Sequence, residues 1–153
     1  MNLDTLFQIA NFSVMPFWLL MIFVPRRDWA TRIIRSPLIA LIPALIYVSV
    51  VVPLFARPGG FDFSAFGTLD GVISLLQTRE GAMAGWSHFL AFDLLVGRWV
   101  YLDAIEKRIH PLLVAPTLFF VFMLGPLGFT LYLIVRFAYR AFRREPTPKQ
   151  QHQ

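Results

Sequence analysis

The chain contains no cysteine in its 153 residues. That absence removes disulfides, thiol nucleophiles, iron–sulfur ligation and cysteine–zinc sites together. Charge is scarce as well: charged residues make up 15% of the chain and hydrophobic residues 57%. A soluble domain carries about a quarter charged residues, so the balance points towards lipid. The histidines, His88, His110 and His152, are too scattered for a metal site, and one imidazole with one carboxylate makes a poor ligand set. A haem could use His88 axially, but no second histidine stands on another apolar run. There is no Ser/His/Asp order, phosphate loop or dinucleotide fingerprint. Neither a metal nor a cofactor is expected.

The amino terminus, Met1-Asn2-Leu3-Asp4, lacks the positive region of a cleavable signal, and no small-x-small site follows. The expectation is a multi-pass protein of the bacterial cytoplasmic membrane, an organelle-encoded chain being the alternative. Sixteen phenylalanines and four tryptophans suit lipid contact and the headgroup boundary. The net charge is +5, and the basic residues fall between apolar runs. Such flanking charges fit anionic headgroups. No reading motif accompanies them, so the bilayer is expected as a partner and nucleic acid is not.

A membrane span needs about 20 mostly apolar residues. Runs at about 6–24, 37–55, 83–102 and 111–139 meet that need. The fold expected is all-α: one integral membrane bundle of four transmembrane helices over residues 1–142. Pro16 in the first run predicts a kink rather than an end. Arg57-Pro58-Gly59-Gly60 is turn chemistry. Beyond it, Leu69, Val72, Ile73 and Leu76 share one helical face, which predicts a short interfacial helix in the long second loop. Residues 143–153 form a polar tail with Pro146 and Pro148, expected to be disordered.

The last run is overlong and is broken by Gly125-Pro126-Leu127-Gly128. Four full spans put nearly equal numbers of basic residues on the two sides, so charge does not orient the chain. A re-entrant hairpin at Gly125-Pro126 would return the tail to the side of the first and third loops. Re-entrant backbone must be covered by protein, and a small bundle offers little cover. The sequence therefore favours a kinked span.

The third run carries the chemistry. Asp93 lies near its middle, with His88 and Arg98 each about 7 Å away along the axis. Ionisable groups in such a run face a bundle interior or a wet cavity and are functional candidates. Successive members stand about 140° apart around the helix, so none pairs with another on its own helix. Asn11 on the first run and Tyr47 on the second could supply hydrogen bonds. Trp86 and Trp99 flank the set. One shared polar pocket would satisfy all three groups with fewest partners. The bland alternative is that they only hold the bundle together, with Arg98 snorkelling to the third loop.

The stretch Gly85-Trp86-Ser87-His88-Phe89-Leu90-Ala91-Phe92-Asp93-Leu94-Leu95-Val96-Gly97-Arg98-Trp99 closely resembles the core of the abscisic-acid-deficient-four-like membrane proteins. Met15-Pro16-Phe17-Trp18-Leu19-Leu20-Met21 and Gly125-Pro126-Leu127-Gly128 resemble that family's first and fourth spans, so the likeness covers most of residues 5–140. The resemblance implies a membrane protein of carotenoid or xanthophyll metabolism, in the manner of neoxanthin formation from violaxanthin. It implies an isomerase of an epoxy-carotenoid or related isoprenoid lipid, or a supporting factor for one. Epoxide opening with loss of a neighbouring proton needs an acid and a base. Asp93 would serve as acid or base, Arg98 would stabilise oxyanion charge and His88 would shuttle protons. Trp86, Trp99, Asn11 and Tyr47 would bind the substrate. The alternative is a non-catalytic pigment-binding or membrane assembly factor. Further partners under either reading are a second copy of the chain or a membrane enzyme.

Overall fold

The computed structural model describes residues 2–56 and 62–142. The turn expected at Arg57–Gly60 and the polar tail lie outside the described residues. Within them every regular element is helical: α1 (Leu3–Phe23), α2 (Asp28–Arg35), a 3₁₀ turn (Pro37–Ala40) running into α3 (Leu41–Phe55), a second 3₁₀ turn (Phe63–Gly67), α4 (Leu69–Leu76), α5 (Arg79–Glu106), α6 (Pro111–Leu124) and α7 (Pro126–Phe142).

Local chemistry sets the starts. Side-chain oxygens of Asn2, Thr68 and Thr78 accept from Asp4, Gly71 and Gly81 backbone N–H groups, capping α1, α4 and α5. At α6 the His110 Nδ1 accepts from Leu112 N–H, and Pro111 fills the first turn, where its missing N–H costs nothing. As expected, α1 runs through Pro16.

The helix α5 is the axis of the fold, and every other helix packs on it. It lies parallel to α1 in constant register. Arg79 donates to Asp4, Trp86 to Asn11 and the Arg26 N–H to Tyr101, each pair being 75 residues apart. Gly97 permits the approach: a Cβ there would stand 2.4 Å from the Trp18 ring. Two apolar clusters form the core. Leu6, Ala10, Ile46, Val50 and Met83 join α1, α3 and α5 at one end. Trp18, Met21, Leu94, Leu118 and Tyr132 join α1, α5, α6 and α7 towards the other.

Residues 111–139, read above as one kinked span, are instead two antiparallel helices. Gly125 has φ +37°, a conformation that L side chains rarely adopt. Pro126 follows it, so the helical ladder of α6 stops and restarts. The arms then touch through their backbones: a Cβ on Gly128 would meet the Val121 nitrogen at 2.0 Å. Tyr139, near the end of α7, donates to the Arg108 carbonyl beside the start of α6 at 2.8 Å. The hairpin therefore returns to the end it left, and α5 supplies the cover that the sequence could not reveal.

The all-helical fold is as expected, whereas four spans are not confirmed. Two stretches, Leu3–Phe23 and Pro37–Phe55, are long and apolar enough to cross a membrane. At 28 residues α5 has the length, but His88, Asp93 and Arg98 interrupt its apolar run. Large apolar side chains such as Phe12, Phe23, Val52, Phe89, Leu112 and Ile134 face outwards around the bundle.

Candidate functional site

Between α3, α4, the second 3₁₀ turn and the first part of α5 lies a cavity of about 560 Å³. Its walls are mainly apolar, from Val51 and Leu54 on α3, Val72 and Leu75 on α4, and Ala84 on α5. Thr68 starts α4, and that short helix covers the cavity like a wall rather than lying apart from the bundle. Two of the predicted site residues open on this space, Tyr47 and His88. Their rings are 5.8 Å apart, and the imidazole stacks on Phe92 at 4.4 Å. Asp62 stands at the rim, where its carboxylate accepts from Ser64 N–H at 2.8 Å. Side-chain and backbone hydrogen bonding to Ser64 holds the Asp62 carboxyl below the usual carboxylate range.

Asp93 goes elsewhere. Its carboxylate rests against the tip of the α6–α7 hairpin, where a Cβ on Gly125 would lie 2.5 Å from Oδ1. The tip therefore reaches the middle of α5, and glycine is required there for space as well as for φ. Arg98 turns away from both. Its Nε donates to the Ile34 carbonyl at 3.0 Å, and its Nη2 donates to the Arg35 carbonyl. These are the last carbonyls of α2, which lack partners within their own helix. The guanidinium thus fixes α2 to α5.

The remaining predicted residues disperse. Trp86 donates to Asn11 at 3.1 Å on the α1 side of α5. Trp99 packs on Phe129 and Tyr132 of α7, with ring centroids 5.6 and 5.8 Å away. The single pocket expected for Asp93, His88 and Arg98 is not formed: the cavity takes His88 and Tyr47, and the other five predicted residues lie outside its lining. Among the described residues no three His, Asp or Glu side chains gather as a metal site would require.

Two polar clusters escaped the sequence reading. Asp103 accepts from Tyr132 at 2.6 Å and from Arg136 Nε at 2.7 Å, tying α7 to α5. The only sequence signal was a carboxylate just past one apolar run and an arginine late in another. Near it, the Tyr101 hydroxyl meets Arg26 N–H and the Thr31 hydroxyl, each at 3.1 Å, while the Arg26 guanidinium donates to the Ile109 carbonyl. Both clusters lie at the end of α5 remote from the cavity.

The match to the family described as ABA DEFICIENT 4-like covers residues 5–132. The chain belongs to this family. Among curated relatives it is similar to Protein ABA DEFICIENT 4, chloroplastic, of Arabidopsis thaliana, with 24% identity over 111 residues, covering 70% of this chain and 50% of the relative. The chain spans about half the length of that protein. No solved structure matches it significantly. The ABA DEFICIENT 4-like match takes in α1 to α6, the cavity and the hairpin tip.

Proposed function

We propose that this ABA DEFICIENT 4-like protein is embedded in a membrane and serves the metabolism of carotenoids or related isoprenoid lipids, holding the lipid in the cavity between α3, α4 and α5. The observation that carries the reading is an apolar space of small-molecule size, about 560 Å³, into which an imidazole and a phenol open. Membership of the family supports the lipid class. The outward-facing apolar side chains support the membrane.

Charge supports an orientation. Among the described residues, Arg26, Arg27, Arg32, Arg35, Lys107, Arg108, Arg136 and Arg140 belong to the end of the bundle where α1 and α5 finish and α7 returns, and Arg79 to the other. Basic loops tend to stay on the cytoplasmic side, which favours an outside amino-terminal end of α1. The hairpin supports this reading, because the near-equal basic tally of four full spans does not arise with it.

A catalytic form of the proposal is acid/base isomerisation of an epoxy-carotenoid. His88 is then the proton-transfer group facing the substrate. Asp93 would act only from the hairpin tip, and Arg98 is committed to α2. The alternative is a non-catalytic pigment holder or assembly factor, a simpler use of a cavity with so few polar groups.

The test is expression in cells that make epoxy-carotenoids, with pigments profiled with and without the protein, and the absorption spectrum of the purified protein. A changed profile with co-purified pigment supports the proposal. A colourless protein and an unchanged profile would overturn it. Loss of the change in His88→Phe with pigment still bound selects the enzyme.

A further inference from the structure

We infer that α2 is an in-plane anchor at the membrane surface: it sinks Trp29 and Ile33 below the headgroups and binds anionic phospholipid through Arg32 and Arg35. The inference rests only on the membrane part of the proposed function and is independent of what fills the cavity.

The first argument is the division of α2 into three sides. At about 100° per residue, Ala30 and Ile34 share one side, Trp29 and Ile33 a second about 100° away, and Arg32 and Arg35 a third about 110° further on. The first side belongs to the bundle, since Ala30 and Ile34 are both fully buried. The second is apolar, yet Trp29 is 55% and Ile33 41% exposed. The third is basic and exposed. An outward apolar strip beside a basic one is the pattern of a helix lying in the interface. Tryptophan is also enriched at headgroup depth.

The second argument is position. The Thr31 hydroxyl meets the Tyr101 hydroxyl at 3.1 Å, and Arg98 donates to the Ile34 and Arg35 carbonyls. Tyr101 and Arg98 stand within one turn of each other on α5. Both ends of α2 are therefore held at the end of the bundle where α1 finishes, rather than strung along its flank. In the orientation proposed above this is the cytoplasmic end, whose leaflet carries the anionic lipids.

The third argument is surplus charge. The carboxyl end of a helix carries a partial negative charge of about half a unit, and Arg98 already meets it. Arg32 and Arg35, in the same last turn, add positive charge beyond what the helix end requires. A guanidinium presents a planar fork that fits phosphate oxygens. Anionic lipid supplies phosphate at the depth that Trp29 and Ile33 set. A zwitterionic headgroup brings its own cation and gains less from the two arginines. A basic side chain near an anionic surface strengthens the contact by about fivefold.

The test uses the full chain with Ile33→Cys, labelled with a fluorophore, in nanodiscs of phosphatidylcholine. No native cysteine competes for the label. A minor lipid carries a nitroxide high on its acyl chain and is either phosphatidylglycerol or phosphatidylcholine. Quenching then reports which headgroup gathers beside α2. Phosphatidylglycerol should half-quench at about fivefold lower mole fraction, and salt should shrink the difference by screening the arginines. Arg32→Gln with Arg35→Gln should bring the two lipids level. Lys107→Gln with Arg140→Gln removes the same charge from other elements at that end and should leave the preference standing. Trp29→Ser should weaken quenching by both lipids while helical circular dichroism is retained.

Equal quenching by the two lipids overturns the inference and leaves the membrane embedding standing. So does an equal loss of preference in the Lys107→Gln/Arg140→Gln variant, which would make the response one of overall charge. A label at position 33 that an aqueous quencher reaches and the lipid nitroxide does not also overturns it. The same holds for a label that neither reaches, as a second copy of the chain covering this face would cause. A chain that stays in solution without detergent or lipid overturns the membrane part of the proposed function together with the inference.

Discussion

Asn11 on α1 accepts a 3.1 Å hydrogen bond from Trp86 on α5, and the 75 residues between them also separate Asp4 from Arg79 and Arg26 from Tyr101. A constant offset means that two helices run parallel and keep step over about six turns of chain. It fixes which ends lie together, and so fixes the topology of everything attached to them. The absence of cysteine makes this directly measurable. Single cysteines at Thr5, Glu106 and Arg140, in membranes of known sidedness, should react with an impermeant maleimide so that 106 and 140 label together and 5 labels from the opposite face. A single span through residues 111–139 would instead separate 106 from 140, and that pattern would remove the hairpin.

The return of α7 depends on Asp103. Its side chain is 10% exposed and that of Arg136 24%, so the pair is substantially desolvated. Removing one partner leaves a charge that the apolar surroundings do not solvate. Asp103→Ala should lower stability by about 2–4 kcal/mol, somewhat below the cost of breaking a fully buried pair. Tyr132 loses its acceptor in the same variant. Asp103→Ala with Arg136→Gln should cost less than the two single changes together, because the double variant leaves no unpaired charge. Thermal unfolding in detergent measures all three. Strict additivity would show that the contact stabilises nothing.

The hairpin tip makes a sharper claim about two glycines. At Gly125 a methyl group meets both a strained φ and the Asp93 carboxylate at 2.5 Å; at Gly128 it meets backbone of the other arm at 2.0 Å. Side-chain ends can move, whereas a backbone nitrogen moves only with its helix. Gly128→Ala should therefore cost at least the upper part of the 1–3 kcal/mol range for overpacking. Gly97→Ala, whose clash is with the Trp18 ring, should cost less. Melting temperatures of the three variants test the order. If Gly128→Ala is the mildest, the arms are not in backbone contact.

The sequence exposed whatever repeats along one helix and hid whatever crosses between helices. The runs that became α1, α3 and α5 were legible because apolar length is a local property, and so was the helical face from Leu69 to Leu76. By contrast α2 looked like a loop, since its eight residues include Asp28, Arg32 and Arg35. Its signal was Ala30 and Ile34, both buried and one turn apart. The Gly125-Pro126 break was visible, but its sense was not: whether backbone can fold back depends on the cover that α5 provides. At the site, the types and depths of Tyr47 and His88 were legible, while their meeting depends on how α3 packs on α5. The contacts of Arg98 were hidden for a related reason. Its partners are backbone carbonyls, and no side-chain identity announces them.

That partner choice yields a prediction opposite to an oxyanion-binding role. Arg98 uses separate N–H groups for the Ile34 and Arg35 carbonyls, at the negative end of the α2 dipole. Arg98→Ala should destabilise the protein by about 1.5–3 kcal/mol, the worth of hydrogen bonds to a charged group. Arg98→Lys should be intermediate, because an ammonium lacks the planar fork that spans two carbonyls. Lipid binding at the cavity should be unchanged in both variants well below their melting temperatures. His88 stands about 15 Å from Arg98 along α5, and Arg98 is not in the cavity lining. The readouts are therefore a melting curve and the absorption of co-purified pigment on the same samples. A variant that melts like wild type but has lost function or ligand would restore Arg98 to the chemistry. The fixed contact with α2 predicts the reverse, with stability falling first and affinity following only as the protein unfolds.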